Sequence, residues 1–299
     1  MGVILDKLRG TFTAIVTPFK KDESVDYGAL GKLIDFNIEN GVNGIVPCGT
    51  TGESPTLTEQ EHSKVVKFTI DRVNKRALVI AGTGSNCTKT AVELTKEAEK
   101  DGADAALVVN PYYNKPTQEG LYRHFKTIAD SVSIPIVVYN IKGRTGVNVE
   151  TSTLMRLASD CKNIVAVKEA SGDMNQIKDV IAKKPAGFSV LSGDDGIALE
   201  LVKSGGDGVI SVASNVVPGK VSKMISSALA KDFVTAEKLN EELKELFEKE
   251  FIETNPIPIK AMLAMEGMLE EVYRLPMCEL IPENKSQVKE LLEKMGLLK

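Results

Sequence analysis

Residues 163–173 read "NIVAVKEASGD", an apolar and β-branched run that ends on Lys168. A continuous apolar run without polar alternation is the pattern of a parallel strand covered on both faces. Lysine is among the costliest side chains to bury, so its place at the end of such a strand asks for a reason. There its ammonium form is poorly solvated, its proton affinity falls, and a neutral amine becomes available to attack carbonyls. The competing reading is a lysine that snorkels to solvent or pairs with a distant carboxylate. Glu169 is not an obvious partner, because successive strand residues point to opposite faces.

Seven more runs of this kind surround it: "FTAIV" (12–16), "GIVPC" (44–48), "ALVIAG" (77–82), "AALVVN" (105–110), "PIVVYN" (135–140), "FSVLS" (188–192) and "GVISV" (208–212). Helical spacing fills the intervals, as in 26–41, 57–73 and 88–102, and Thr58 with Glu61 three residues on forms a capping box. Eight β-then-α units without polar linkers predict an α/β fold, a closed (β/α)8 TIM barrel. An open doubly wound sheet is the alternative, since counting strands does not prove closure. From about residue 231 the pattern changes to the charged amphipathic "KDFVTAEKLNEELKELFEKEF". The expected division is a catalytic barrel over 1–230 and a C-terminal helical appendage over 231–299. Within "NPIPIK" (255–260), Pro256 and Pro258 predict an extended joint, with more helix running on to Lys299.

Composition narrows the function classes. The 299 residues are 42% hydrophobic and 26% charged, typical of a soluble globular chain, and no apolar run is long enough to cross a bilayer. "MGVILDKLRG" lacks a signal-peptide core, and Asp6 stands where a myristoylation motif needs Ser or Thr, so a cytoplasmic protein is expected. Cys48, Cys87, Cys161 and Cys278 form no metal-type pair and are read as reduced core residues. A net charge of −4, no Trp and no basic block argue against nucleic acid. The expected partner is a small molecule or another copy of the chain.

In such barrels chemistry gathers at the carboxyl ends of the strands. There lie "CGTTGES", "NPYYNKP", "NIKGRTG" after Tyr139, Lys168 itself and "SGDDG". Imine formation needs hydroxyls that give and take protons, which Tyr139, Tyr113 and Thr50 offer. Each also has a plainer reading, as a packing aromatic, a subunit contact beside Tyr112, or a turn residue. The "GTTGE" loop (49–53) suits a carboxylate cradle or a simple capped turn, and Arg144 suits an acid-bearing substrate or an ordinary surface position. His62 and His124 are expected on the solvent side of their helices. With only these two, a histidine-rich metal site and a Ser-His-Asp hydrolase are both disfavoured. "GTG" at 82–84 does not extend to a dinucleotide fingerprint, and the acidic "SGDDG" disfavours a sugar phosphate.

"GTTGES", "NPYYNKP", "YNIKGRTG", "AVKEASGD", "LSGDD", "GVISVASNV" and "NPIPIK", in this order and spacing, resemble the dihydrodipicolinate synthase family of pyruvate-dependent Schiff-base aldolases, over essentially the whole chain. The resemblance implies that Lys168 condenses with pyruvate, Tyr139 relays protons, and Thr50 and Tyr113 complete the relay, Tyr113 from across a dimer interface with Tyr112 stacking nearby. It implies that Thr50 and Thr51 hold the pyruvate carboxylate and Arg144 receives aspartate β-semialdehyde, the second substrate. Gly193 and Ile210 would line the pocket through their backbones. No metal or nucleotide is implied; a homo-oligomer is, a tetramer built as a dimer of dimers.

Sibling sugar-acid aldolases, such as N-acetylneuraminate lyases, generally lack an arginine at the position of Arg144, and so form the alternative; a catalytically silent barrel is a third. Lys142 stands where the family usually carries proline, which predicts a looser loop before Arg144. The family's lysine-feedback site is matched at Ser54, His62, Asn86 and Tyr112, but Glu59 and Thr90 replace a frequent histidine and glutamate, predicting weak or absent inhibition.

Overall fold

The computed structural model describes residues 8–298. The reading of the N-terminal stretch, including Asp6, lies largely outside them. The strands are β1 Gly10–Ala14, β2 Gly44–Val46, β3 Leu78–Gly82, β4 Ala105–Val109, β5 Ile136–Asn140, β6 Ile164–Glu169, β7 Ser189–Ser192 and β8 Gly208–Ser211. They pair in sequence order, all parallel, and β8 returns to β1, so the sheet is a closed eight-stranded barrel. Seven begin within a residue of their apolar runs, while β1 lies two residues ahead of the run expected at 12–16.

Closure depends on small residues where β8 meets β1. Gly208 pairs with Gly10, and a Cβ on Gly208 would lie 2.0 Å from the Gly10 carbonyl oxygen. Any side chain there would force the two strands apart. Phe12, Ile80, Leu107, Val137 and Leu191 fill the barrel interior together with Tyr139 and Ile210. Ile136, Val138 and Val167 instead meet the surrounding helices. The strands are therefore buried on both sides, which is why they read as continuous apolar runs.

The helices follow the expected spacing at Tyr27–Glu39, Glu59–Val73 and Thr88–Asp101. Thr58 and Glu61 form the full capping box, satisfying two otherwise orphaned backbone donors. Beyond the helix Pro218–Leu229 come Phe233–Lys249, Ile257–Met265 and Pro282–Lys294.

Two expectations for this region are corrected. Residues 257–265 are helical, not an extended joint, because Pro258 sits in the first turn, where its missing N–H is not needed. The helical sequence expected to run on to Lys299 is also interrupted, since no regular element occupies 266–281.

Candidate active site

Lys168 and Tyr139 are register partners at the carboxyl ends of β6 and β5. The lysine is 5% exposed, and its Nζ lies 4.3 Å from the centre of the Tyr139 ring. Burial pulls its ammonium group down from 10.5 to about 7; the Asp195 charge opposes this and the Arg144 charge adds to it. Among the described residues Lys168 makes no ion pair. Gly193 is needed beside it, because a Cβ there would lie 2.9 Å from Lys168 Cε and 2.8 Å from Ala170 Cβ. Glu169 points the other way as expected, accepting from Asn140 Nδ2 at 3.2 Å and Ser171 N at 2.8 Å.

Lys260 is an internal control for this reading. It too follows an apolar stretch and is fully buried, yet its Nζ lies 2.5 Å from Glu53 Oε1. Lys260 is thus a neutralised structural lysine, whereas Lys168 is a buried amine without a neutralising contact.

The loop after β2 reaches Tyr139 through Thr50. Tyr139 is 5% exposed, and its phenol is pushed up to about 12 by burial; the Arg144 charge and the adjacent Thr50 hydroxyl oppose this, while Asp194 adds to it. Thr51 is buried, and its Oγ1 accepts from Asn255 Nδ2 at 3.0 Å. Accepting leaves the Thr51 O–H itself free to donate, so the hydroxyl and the loop's backbone N–H groups can both serve an anion. Glu53 adopts a left-handed φ of 52°, a conformation held in place by the Lys260 pair.

Arg144 is exposed on the helical turn Lys142–Thr145, and its Nη2 donates to the Asn255 carbonyl oxygen at 3.2 Å. Despite Lys142, that turn is closed by the Gly146 N–H donating to the Lys142 carbonyl at 2.9 Å. Asn255 thus reaches both Thr51 and Arg144 from the segment beyond the barrel.

A cavity of about 390 Å³ opens against Thr50, Tyr139, Arg144 and Tyr112, and extends between the helices to Ser54 and His62. Lys168, Thr51, Gly193 and Ile210 are not among the residues that line it; Ile210 belongs to the interior layer with Tyr139. Tyr113 is not brought into the site: it is 89% exposed with a left-handed φ of 71°. Asn86 does not line the cavity; its carbonyl accepts from Asn114 Nδ2 at 2.9 Å.

Both histidines are buried, correcting the solvent-side expectation. His62 Nε2 lies 2.7 Å from the Gly82 carbonyl oxygen and His124 Nδ1 lies 2.9 Å from Thr88 Oγ1. Burial lowers the proton affinity of both, His124 to about 4. All four cysteines are free, but only Cys48 and Cys161 are core residues; Cys87 and Cys278 are exposed. Among the described residues no group of three or more His, Cys, Asp or Glu is arranged to hold a metal, and no helix is long and apolar enough to cross a membrane. Asn255, Lys260, Asp195 and Glu250 were not singled out from the sequence, although Lys260 carries the same buried-lysine signal as Lys168.

A family model described as the dihydrodipicolinate synthetase family matches residues 7–295. The chain belongs to this family. It is 52% identical to the 4-hydroxy-tetrahydrodipicolinate synthase of Aquifex aeolicus, over 97% of this chain and 98% of that protein. The crystal structure of dihydrodipicolinate synthase from the same organism superposes with a TM-score of 0.95 at 51% identity, covering 97% of this chain and 98% of that one. So does that of the chloride-inhibited dihydrodipicolinate synthase from Acinetobacter baumannii complexed with pyruvate, with a TM-score of 0.95, 45% identity and coverage of 97% and 100%. As a dihydrodipicolinate synthetase family member, the chain is an enzyme, an aldolase-type lyase with the 4-hydroxy-tetrahydrodipicolinate synthase function of lysine and diaminopimelate biosynthesis.

Proposed function

We propose that this chain condenses pyruvate, held as an imine on Lys168, with L-aspartate 4-semialdehyde. The observation that carries this reading is the buried amine of Lys168 at 4.3 Å from the Tyr139 ring, with burial bringing its proton affinity down to about 7. The neutral Nζ attacks the keto carbon of pyruvate, and the resulting hydroxyl leaves as water with a proton. Tyr139 is suited to deliver that proton, because a phenol raised to about 12 remains protonated at neutral pH. Loss of a methyl proton then gives the enamine, whose carbon attacks the aldehyde. Thr50 passes protons between Tyr139 and the Tyr113 of a second copy, whose exposed position on this chain suits such a contribution.

The backbone N–H groups around Thr50 and Thr51 hold the keto-acid carboxylate, and Arg144 receives the carboxylate of the semialdehyde. Gly193, against Lys168, and Ile210, in the barrel's interior layer, offer their backbones to the keto acid once it is bound on the lysine. The chemistry uses the covalent lysine imine and no metal or nucleotide. Residues 1–230 carry the reaction and 231–299 brace it, through Asn255 on Thr51 and Arg144 and through Lys260 on Glu53. The working assembly is a homo-oligomer, a tetramer of two dimers. Its place is the cytoplasm, where four free thiols stay reduced. Ser54, His62 and Tyr112 line the same cavity and Asn86 does not, while Glu59 and Thr90, which also line it, lack the effector contacts expected there, so lysine is a weak inhibitor or none.

The test is a coupled assay following pyruvate consumption. Turnover with L-aspartate 4-semialdehyde and none with sugar aldehydes is expected. Cleavage of N-acetylneuraminate without semialdehyde-dependent turnover would overturn the assignment of the second substrate.

A further inference from the structure

Glu250 is fully buried at the end of the helix Phe233–Lys249, and neither of its carboxyl oxygens meets a donor among the described residues. That helix packs on the turn Asp195–Ile197 after β7. There Asp195 is 1% exposed, and its carboxyl acts on that of Glu250 from the turn the helix packs against. Asp195 Oδ2 already accepts from Val212 N at 2.7 Å and Ala213 N at 3.1 Å, while its Oδ1 has no donor among the described residues. Two buried carboxylates with three such oxygens between them cannot both be ionised without a large desolvation and repulsion cost. One proton carried by Glu250 and donated to Asp195 Oδ1 removes that cost.

We propose that Asp195 and Glu250 hold one proton between them, and that the single negative charge left on Asp195 is the counter-charge of Lys168. Glu250 is on this view a positioning residue that acts through Asp195. The proposal rests on the reading of Lys168 as the nucleophile.

The assignment of the proton follows from the surroundings. Burial pushes Glu250 well above the usual carboxylate range, and the Asp195 and Asp194 charges push it further. Burial also raises Asp195, but hydrogen bonds from Ser211, Val212 and Ala213 oppose the rise, so Asp195 keeps the charge. The charged groups acting on Lys168 are Asp195, which favours its ammonium form, and Arg144, which disfavours it; the Tyr139 ring faces it from β5. Asp194 bears on Asp195, Glu250 and Tyr139. A second negative charge at Glu250 would hold Lys168 protonated and idle. The shared proton keeps the count at one.

Two readouts test this. Infrared difference spectra, wild type minus Glu250→Gln at neutral pH, are expected to show a carboxylic-acid carbonyl band lost in the variant; its absence overturns the shared proton. The rate at which borohydride traps pyruvate on Lys168 is then followed against pH. Asp195→Asn removes the counter-charge and is expected to move the acid limb down by about one pH unit. Glu250→Leu strips the donor, so that Asp195 takes the proton itself, and is expected to move the limb the same way. Glu250→Gln keeps the donor and is expected to leave the limb in place. A limb unmoved in Asp195→Asn, or three variants that lose only melting temperature, overturns the proposal. So does Glu250→Gln if it shifts the limb as far as Asp195→Asn. Wild-type protein that takes no label at Lys168 overturns the nucleophile reading instead, while the infrared band still reports on the proton independently.

Discussion

Lys260→Met isolates the contact that fixes the loop carrying Thr50 and Thr51. Lys260 Nζ is 2.5 Å from Glu53 Oε1, the two side chains are 0% and 1% exposed, and Glu53 Oε2 has no donor among the described residues. Removing the ammonium group leaves a carboxylate buried without its counter-ion, and one-sided breaking of a buried pair costs about 3–5 kcal/mol. Lys260 also sits 4.4 Å from the Phe19 ring and 5.2 Å from the Tyr273 ring, contacts that are lost with the charge. At roughly 2–4 °C per kcal/mol for a large domain, the melting temperature should fall on the order of 10 °C. Replacing both partners, Glu53→Leu with Lys260→Met, removes both desolvation costs and should melt above the Lys260→Met variant. The assay is scanning calorimetry of the four proteins of the cycle at one pH, with the pyruvate KM measured beside it. The single variant should raise that KM, because Glu53 ends the loop that holds the substrate. Lys260→Met melting with the wild type, or two single losses that simply add in the double variant, would refute the reasoning.

The pH dependence follows from Lys168. Below about pH 7 its amine is protonated and cannot attack, so kcat/KM for pyruvate should fall about tenfold per unit on the acid side. Unfolded, the same lysine keeps its proton up to 10.5, so the unfolded chain binds more protons between 7 and 10.5. That contribution to stability therefore rises with pH across this window, and denaturant titrations of Lys168→Met should show the slope reduced. Arg144→Ala should cost the semialdehyde kcat/KM about 10- to 100-fold, the worth of a charge-assisted bidentate contact, while pyruvate labelling of Lys168 persists. If Glu59 and Thr90 remove the effector contacts, as proposed, isothermal titration with lysine should give no tight binding; submicromolar binding would contradict this.

The barrel was legible because each strand is buried on both faces and so betrays itself as an unbroken apolar run. The rim followed, since Lys168, Tyr139, Thr50 and Arg144 sit where those runs stop. The buried stripe of the helix Glu59–Val73 was also written in the sequence: His62 shares it with Val65, Val66, Thr69 and Val73. Reading histidine as polar, without regard to that spacing, put it on the wrong face. His124 repeats the error between Leu121, Phe125 and Ile128. Pro256 and Pro258 were read as helix breakers because a proline's effect depends on whether it falls in the first turn, and the sequence alone does not mark where that turn begins. The pairing of Asp195 with Glu250, and of Glu53 with Lys260, could not be read at all, since only the packing of the C-terminal helices on the barrel mouth brings those residues together. Tyr113 is 89% exposed, so the contribution proposed for it depends on a surface that another copy would cover.

The most direct measurement is the mass of the Lys168 peptide after borohydride reduction in the presence of pyruvate. A single reduced pyruvyl adduct on Lys168, absent from Lys168→Ala and absent from Lys260, is the expected result. An unmodified Lys168, or an adduct on another lysine, would contradict the claim that a desolvated amine at the end of β6 is the nucleophile.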